Sequence, residues 1–398
     1  MDVTKKYSIT NILVLLFLIL FPFGQLLKQS FQFDSFVITL QPMDVVAGLA
    51  FVYVLLKRKK IPVSTKYILD FLIVLAISLL YSLTIFSLRE VFIGFFYLVR
   101  LISYFAFFLL VYDFATSAKE RKLLFNSLIV VCFFIAMFGW IQYFLYPDLR
   151  TFTVWGWDDH LYRLVSTFID PGFTSIILAF GFLASIGTYL QKKKVKYAIL
   201  SFFFLLTLAF TYSRAGYLAM FSGLTYLLFT KNKLKYLFGL FLIFALLILL
   251  LPRPSGTGVQ LERLYSIVDR IENYRQTVTI WEKSPVFGVG YNNLCSARRR
   301  FIGYEDYASH SCSGSDSSTL LILATSGIVG FLVFLTALIS LFRYIGGGLY
   351  GLVFKSSLVA ILFHSQFVNS LFYPWVLGWM GMLLAVSLKV KGKNEGLK

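Results

Sequence analysis

Twelve apolar runs leave this chain few folds to choose from. They lie at Ile9–Leu27, Val37–Leu56, Tyr67–Phe86, Val91–Tyr112, Leu123–Tyr146, Phe173–Leu190, Tyr197–Thr211, Ala215–Phe229, Tyr236–Leu251, Thr319–Phe342, Ser356–Asn369 and Trp375–Leu388. A helix that crosses a bilayer needs roughly 20 apolar residues, and most of these runs approach that length, with Tyr197–Thr211 and Ser356–Asn369 short. Strands of a membrane barrel would need only about 10 residues each and would alternate in polarity, which these runs do not. A chain that is 58% hydrophobic and 14% charged also has too few polar side chains to cover a soluble globule of 398 residues. The pattern predicts an all-α polytopic membrane protein of about twelve transmembrane helices, with residues 1–398 forming a single membrane domain.

Basic residues set the expected orientation. Lys5 and Lys6 precede the first run, and no small-residue cleavage site follows it, so that run reads as a retained helix with the chain starting inside. Lys57 to Lys60, Lys119 to Lys122, Lys192 to Lys196, Lys231 to Lys235, Arg343 with Lys355, and the tail from Lys389 then fall on alternate turns. Positive-inside retention puts all of them, and both termini, in the cytoplasm.

The longest segment that cannot sit in lipid is 252–318, an extracytoplasmic loop between the ninth and tenth runs. It holds seven of the fifteen arginines, two of the three cysteines and His310. On this topology only Lys28 and Lys283 of 22 lysines lie outside, whereas only Arg58, Arg121 and Arg343 of the arginines lie inside. Retention explains the lysines but not twelve arginines at the outer face or in the membrane. Guanidinium is suited to forked binding of phosphate, so these arginines point to an anionic, phosphate-bearing ligand. The net charge of +18 is not a nucleic-acid signal, because much of it is topological lysine.

Several polar residues need an account. Asp44 opens the second run and Arg100 lies inside the fourth; charges in lipid face a partner or a cavity. Arg100 therefore either pairs with Asp44 or Glu90 or faces a ligand, and Arg163 is a further possible cavity charge. Trp155 and Trp157, in the loop Pro147–Gly172 with Asp158, Asp159 and His160, are interfacial anchors or sugar-stacking platforms. Asp170-Pro171-Gly172 has the form of a helix entry, with Asp170 as cap. In Thr211-Tyr212-Ser213-Arg214-Ala215-Gly216, Ser213 can cap the following helix. Arg214 then sits at a helix N-terminus, either snorkelling to the interface or binding an anion.

Ser213-Arg214-Ala215-Gly216 resembles the Ser-Arg-Gly/Ala signature of the O-antigen ligase and polymerase superfamily. The likeness continues through Arg270-Ile-Glu-Asn-Tyr274 and Ser284-Pro285-Val-Phe-Gly288-Val-Gly290, similar to the family's Arg-x-x-x-Trp and Pro-x-x-Gly-x-Gly. It ends at Ser326-Gly327-Ile-Val-Gly330, similar to Thr-Gly-Leu-Ile-Gly, and Arg163 to Pro171 matches more loosely. The order, spacing and side of these motifs cover about Arg163 to Phe342. The resemblance implies the helical architecture of lipid-dependent glycosyltransferases and an inverting, metal-independent transfer without cofactor. The donor would be an undecaprenyl-diphosphate-linked glycan, the acceptor a glycan or lipid hydroxyl, and the place the outer leaflet of the bacterial inner membrane. By position, Arg214 and Arg270 would stabilise the leaving diphosphate, with Arg275 a third candidate.

One departure matters. Ligases of the family place a histidine eleven residues before the helix-opening glycine, and counting back from Gly327 that position is Asp316. Either Asp316 serves the acceptor hydroxyl, or His310 reaches the site, or Asp316 only caps the tenth helix. Loss of that histidine favours a polymerase over a ligase acting on lipid A core. A lipid-glycan flippase and a non-catalytic assembly subunit are other classes; a transporter would show internal repeats, and none is clear.

Two local expectations concern the loop. Leu264, Ile267, Val268, Ile271, Tyr274, Val278 and Trp281 recur at helical spacing, predicting an amphipathic helix whose polar face carries Arg263, Arg270 and Glu282 away from lipid. Cys295 and Cys312 share the oxidising side and form either a bridge or two free thiols, while Cys132 stays free.

Overall fold

The computed structural model describes residues 8–33, 36–57, 61–155, 159–252, 254, 257–261, 265–303, 312 and 314–388. Among them the chain forms fourteen α-helices and one small hairpin. Each apolar run overlaps a helix: α1 (Ile9–Leu20), α2 (Pro42–Leu56), α3 (Lys66–Tyr81), α4 (Leu88–Phe114), α5 (Ala118–Leu145), α6 (Pro171–Lys192), α7 (Val195–Ala209), α8 (Arg214–Thr230), α9 (Lys235–Leu250), α12 (Ser318–Tyr344), α13 (Leu349–His364) and α14 (Pro374–Ser387). The remaining two, α10 (Tyr265–Lys283) and α11 (Leu294–Ile302), lie in the 252–318 segment. Six helical segments are long and apolar enough to cross a membrane, and five more apolar helices are shorter. Large apolar side chains such as Leu15, Phe144, Phe238 and Leu249 stay exposed, as lipid-facing surfaces require.

Three sequence expectations are corrected. The second run is not helical throughout: β1 (Gln29–Phe33) and β2 (Phe36–Leu40) pair antiparallel, with Gln29 opposite Leu40. Their β-branched and aromatic residues suit a strand. Pro42 then opens α2 at its first position, with Gln41 and Asp44 forming a reciprocal capping box. The eleventh run is displaced: α13 starts at Leu349 and ends at His364, so Ser365–Asn369 is a polar turn and Lys355 lies within a helix rather than in a basic loop.

Two packed cores divide the interior. The larger joins α1, α2, α5 to α8, α13 and α14, and the smaller joins α3, α11 and α12 with Ile280, Val289 and Tyr291; α4 contributes to both. Helix α9 is peripheral, with Phe244 its one buried residue. Lys192 lies within electrostatic reach of Lys122, Lys194 and Lys196, and Lys233 of Lys193 and Lys231, so three of the basic turns lie near one another.

Helix α12 is broken at Gly327, whose φ of 65° and ψ of −170° are open to glycine. The motif Pro285–Gly290 fills the break. Val289 and Gly290 donate to the carbonyls of Ala324 and Thr325 at 2.9 and 3.0 Å, and Ile328 and Val329 donate to Pro285 and Val286 at 2.9 and 3.3 Å. Ser78 of α3 adds bonds to the carbonyls of Phe287 and Thr325 at 2.8 and 2.6 Å. Backbone groups freed by the kink are therefore satisfied inside the protein, the condition for irregular backbone in a membrane bundle. A Cβ at Gly327 would overlap Val286, and one at Gly288 would overlap Thr325. The glycines of these two motifs thus serve one backbone crossing.

Candidate active site

Four helix ends and the turn after α13 meet beside α10. Ser213 caps α8, its hydroxyl accepting from Gly216 N at 3.2 Å and from Ser175 Oγ at 3.1 Å. Arg214 follows as the first helical residue, where unsatisfied backbone N–H groups favour an anion. Its Nη1 donates to Leu261 O at 3.2 Å, which turns the side chain along the 252–318 segment. Arg163 supports this junction from beneath: it is buried, and Nε and Nη2 donate to the carbonyls of Thr211 and Tyr212 at 3.1 and 3.3 Å. Asp170 caps α6 as expected, accepting from Phe173 N at 2.7 Å.

The expected helix in 262–281 is present as α10. Ile267, Val268 and Ile271 are exposed, whereas Thr277 and Ile280 are buried against the bundle. Arg270 is half-buried on the bundle side, close enough to Arg214 for the two positive charges to interact. Among the described residues no group hydrogen-bonds or ion-pairs with the Arg270 guanidinium. One turn on, the Tyr274 hydroxyl donates to Gln366 O. Burial pushes the Tyr274 phenol above its usual range, Arg270 pulls it down and Asp316 pushes it up, so the phenol lies between a cation and an anion. Arg275 is exposed and is not brought to this cluster.

Asp316 is held beside α10 through its backbone. Asn273 Oδ1 accepts from Asp316 N at 3.0 Å and from Ser315 Oγ at 3.3 Å, and Thr277 Oγ1 donates to Ser315 Oγ at 3.1 Å. The cap of α12 is Ser317, which accepts from Leu320 N at 3.2 Å. The cap reading of Asp316 is therefore not the one observed. Behind it the turn after α13 forms a polar floor: Gln366 Nε2 donates to Thr319 Oγ1 at 2.8 Å, and Ser318 Oγ donates to Asn369 Oδ1 at 3.1 Å. His364 is fully buried with Nδ1 2.8 Å from Ser370 Oγ, within electrostatic reach of Arg270.

Asn273, His364, Gln366 and Asn369 were not foreseen as parts of this region. The signal was available in the polar residues that interrupt the eleventh apolar run, since such residues in a membrane span have partners or a function. His310, Trp157, Asp158 and Arg263 lie outside the described residues.

The arginine run splits. Arg298 is buried and donates to Cys312 O at 3.1 Å, while Arg300 donates to Ile85 O and lies 6.0 Å from the Phe86 ring. Arg298 thus holds the loop to itself, and Arg300 ties it to the bundle. Cys295 and Cys312 are disulfide-bonded with Cα atoms 4.7 Å apart, and Cys132 is free and buried.

Residues 198–335 match the O-antigen ligase family model. The superfamily read from the motifs is thereby supported, and members of the family are enzymes of the glycosyltransferase kind. No curated protein matches the chain. The matched segment contains Arg214, Arg270, Arg275 and Asp316; Asp44, Arg100 and Arg163 precede it.

The earlier pair is well defined. Arg100 Nη2 lies 3.0 Å from Asp44 Oδ2 and also donates to Thr39 O. Asp44 further accepts from Tyr104 at 3.1 Å and from Gln41 N at 2.9 Å, and Arg100 lies 5.0 Å from the Tyr97 ring. Of the two readings for Arg100, pairing with Asp44 is the one observed, and Glu90 instead closes the cap of α4. Arg100 nevertheless also lines a cavity.

Proposed function

We propose that this protein is a polysaccharide polymerase of the inner membrane. It would transfer a glycan from an undecaprenyl-diphosphate-linked donor to an acceptor sugar hydroxyl at the outer leaflet. The twelve apolar helices would cross the membrane with both termini cytoplasmic, and the 252–318 segment would face outward. The observation that carries this reading is Arg270, without an acid partner among the described residues, set against Arg214 at the start of α8. Two adjacent guanidiniums are unfavourable until an anion arrives between them, and a diphosphate is an anion of matching geometry.

In the reaction the acceptor oxygen attacks the anomeric carbon from the face opposite the phosphate. The carbon–oxygen bond to the diphosphate breaks, its electron pair leaves with the diphosphate, and the anomeric configuration inverts. Arg214 and Arg270 stabilise the charge that develops on the leaving group. Asp316 orients the acceptor hydroxyl and takes its proton as attack proceeds. His310 is the alternative for that step, and Asp316→Ala against His310→Ala separates the two.

The test is a purified, nanodisc-embedded protein supplied with lipid-linked glycan. The reading expects release of undecaprenyl diphosphate together with a ladder of lengthened lipid-linked glycan. Release with a single transfer to a lipid A core acceptor would make the chain a ligase instead. Translocation of the lipid without release of diphosphate would make it a flippase.

A further inference from the structure

Helices α5 and α7 touch from about their middles onward. The Phe133 and Phe203 rings lie 5.6 Å apart, and Trp140 Nε1 donates to Thr207 Oγ1 at 3.0 Å. Toward their starting ends a groove of about 540 Å³ lies between them, walled by Ile129, Val130 and Phe133 on α5 and by Ile199, Leu200 and Phe203 on α7. Val130 and Ile199 are exposed, so the groove opens sideways, where lipid surrounds a membrane bundle. From Lys122 to Phe133 is about 16 Å of helix at 1.5 Å per residue, close to half of a hydrocarbon core of roughly 30 Å. The groove is therefore about one leaflet deep, with its floor at the contact of Phe133 with Phe203.

The mouth of the groove is polar and positive. Asn126 and Lys196 line it, and Lys122 stands one turn before Asn126 on α5. Lys192, the last residue of α6, lies within electrostatic reach of Lys122, Lys194 and Lys196, so lysines from three neighbouring helices share one rim. Neither Lys122 nor Lys196 has an acid partner among the described residues. The nearby carboxylate of Glu120 accepts from Ser117 N at 2.8 Å and closes the cap of α5. The Asn126 amide is half-buried and has no hydrogen-bond partner among the described residues. Polar groups in a membrane span need a partner. Both α5 and α7 begin at this end, so their dipoles favour an anionic one.

We propose that this groove is a binding site for one anionic phospholipid, its phosphate against Lys122 and Lys196, its glycerol ester at Asn126 and one acyl chain between α5 and α7. The apolar walls suit hydrocarbon, and the clustered lysines favour a headgroup of net negative charge over a zwitterionic one. The lipid fills the space where the two helices part and so completes their packing. Arg214 follows the far end of α7, so the site is separate from the glycan-transfer site and does not depend on that reading. On the topology proposed above it faces the cytoplasmic leaflet.

Photolabelling of the full chain tests the proposal, in phosphatidylcholine nanodiscs holding a trace of either phosphatidylglycerol or phosphatidylcholine with a diazirine midway along one acyl chain. Label in peptides spanning residues 123–133 and 197–203 should be about tenfold higher with the phosphatidylglycerol probe, as two lysines at the membrane surface imply. The double variant Lys122→Gln with Lys196→Gln should bring that label down to the phosphatidylcholine level, and Lys122→Arg with Lys196→Arg should keep it. Both lysines are exposed, and Lys119, Arg121 and Lys193 remain to hold the topology. Val130→Trp, which fills the groove from its exposed rim, should lower the label of both probes in these peptides. Equal labelling by the two probes would reduce the groove to ordinary boundary lipid and overturn the site. An unchanged phosphatidylglycerol label in the folded Gln double variant, or in Val130→Trp, would overturn it too. Loss of the preference in inorganic phosphate, but not in chloride of equal ionic strength, would assign the lysines to a free anion instead of a lipid.

Discussion

Arg270 and Arg100 are both half-buried, yet their surroundings are opposite. Arg100 is bound to a carboxylate at 3.0 Å, to a backbone carbonyl and to an aromatic face. Arg270 has a second arginine for a neighbour and no acid partner among the described residues. A paired guanidinium in a low-dielectric bundle is already satisfied, whereas one set beside a like charge awaits an anion. The contrast divides the arginines by task better than their number does: Arg163, Arg298 and Arg300 hold backbone carbonyls, Arg100 holds Asp44, and Arg270 is left for the ligand.

The largest effect should come from the unpaired side. Arg270→Lys keeps the charge but loses the fork, and turnover measured by diphosphate release should fall about 100-fold or more, as when one electrostatic donor is removed from a transition state. Near-normal turnover in a well-expressed Lys variant would erase the distinction between the two arginines. On the paired side the effect should be on stability. Asp44→Ala strands a half-buried guanidinium and should cost about 2 kcal/mol, read from the thermal melt in nanodiscs. The double variant Asp44→Ala with Arg100→Met should recover most of it; no recovery would mean that Arg100 is not stabilised chiefly by Asp44. Gly327→Ala should cost about 2 kcal/mol through the left-handed backbone alone, with the overlap on Val286 adding to it. A neutral effect there would show that the broken helix can close. Smallest is Ser213→Ala, about 1 kcal/mol for a lost cap, because the α8 entry retains its backbone bonds.

Much of this was legible before any coordinates. Run length alone located helical segments, since a bilayer leaves no alternative for apolar stretches of that length. Asp170 and Ser213 were readable as caps because capping is local chemistry, a side chain reaching its own next turn. Tertiary relations were not legible. The motifs Pro285–Gly290 and Ser326–Gly330 read as separate signatures, and only their meeting across the kink explains why glycine stands at Gly288 and Gly327. The periodicity of α10 located the helix but left open whether its apolar face meets membrane or bundle. Asn273 and Thr277 bond Ser315 and the Asp316 backbone, partners about forty positions away that no helical spacing can reveal. For Asp316 the sequence left cap and site open, and the cap of α12 is Ser317.

The most direct measurement is the affinity of undecaprenyl diphosphate for the nanodisc-embedded protein, compared among the wild type, Arg214→Lys and Arg100→Met. If Arg214 and Arg270 form the donor site, binding should weaken about tenfold or more in Arg214→Lys, the loss expected of a forked charge-assisted contact. It should persist in folded Arg100→Met. Weakened binding in Arg100→Met with unchanged binding in Arg214→Lys would contradict the account, placing the diphosphate at the arginine that Asp44 already compensates.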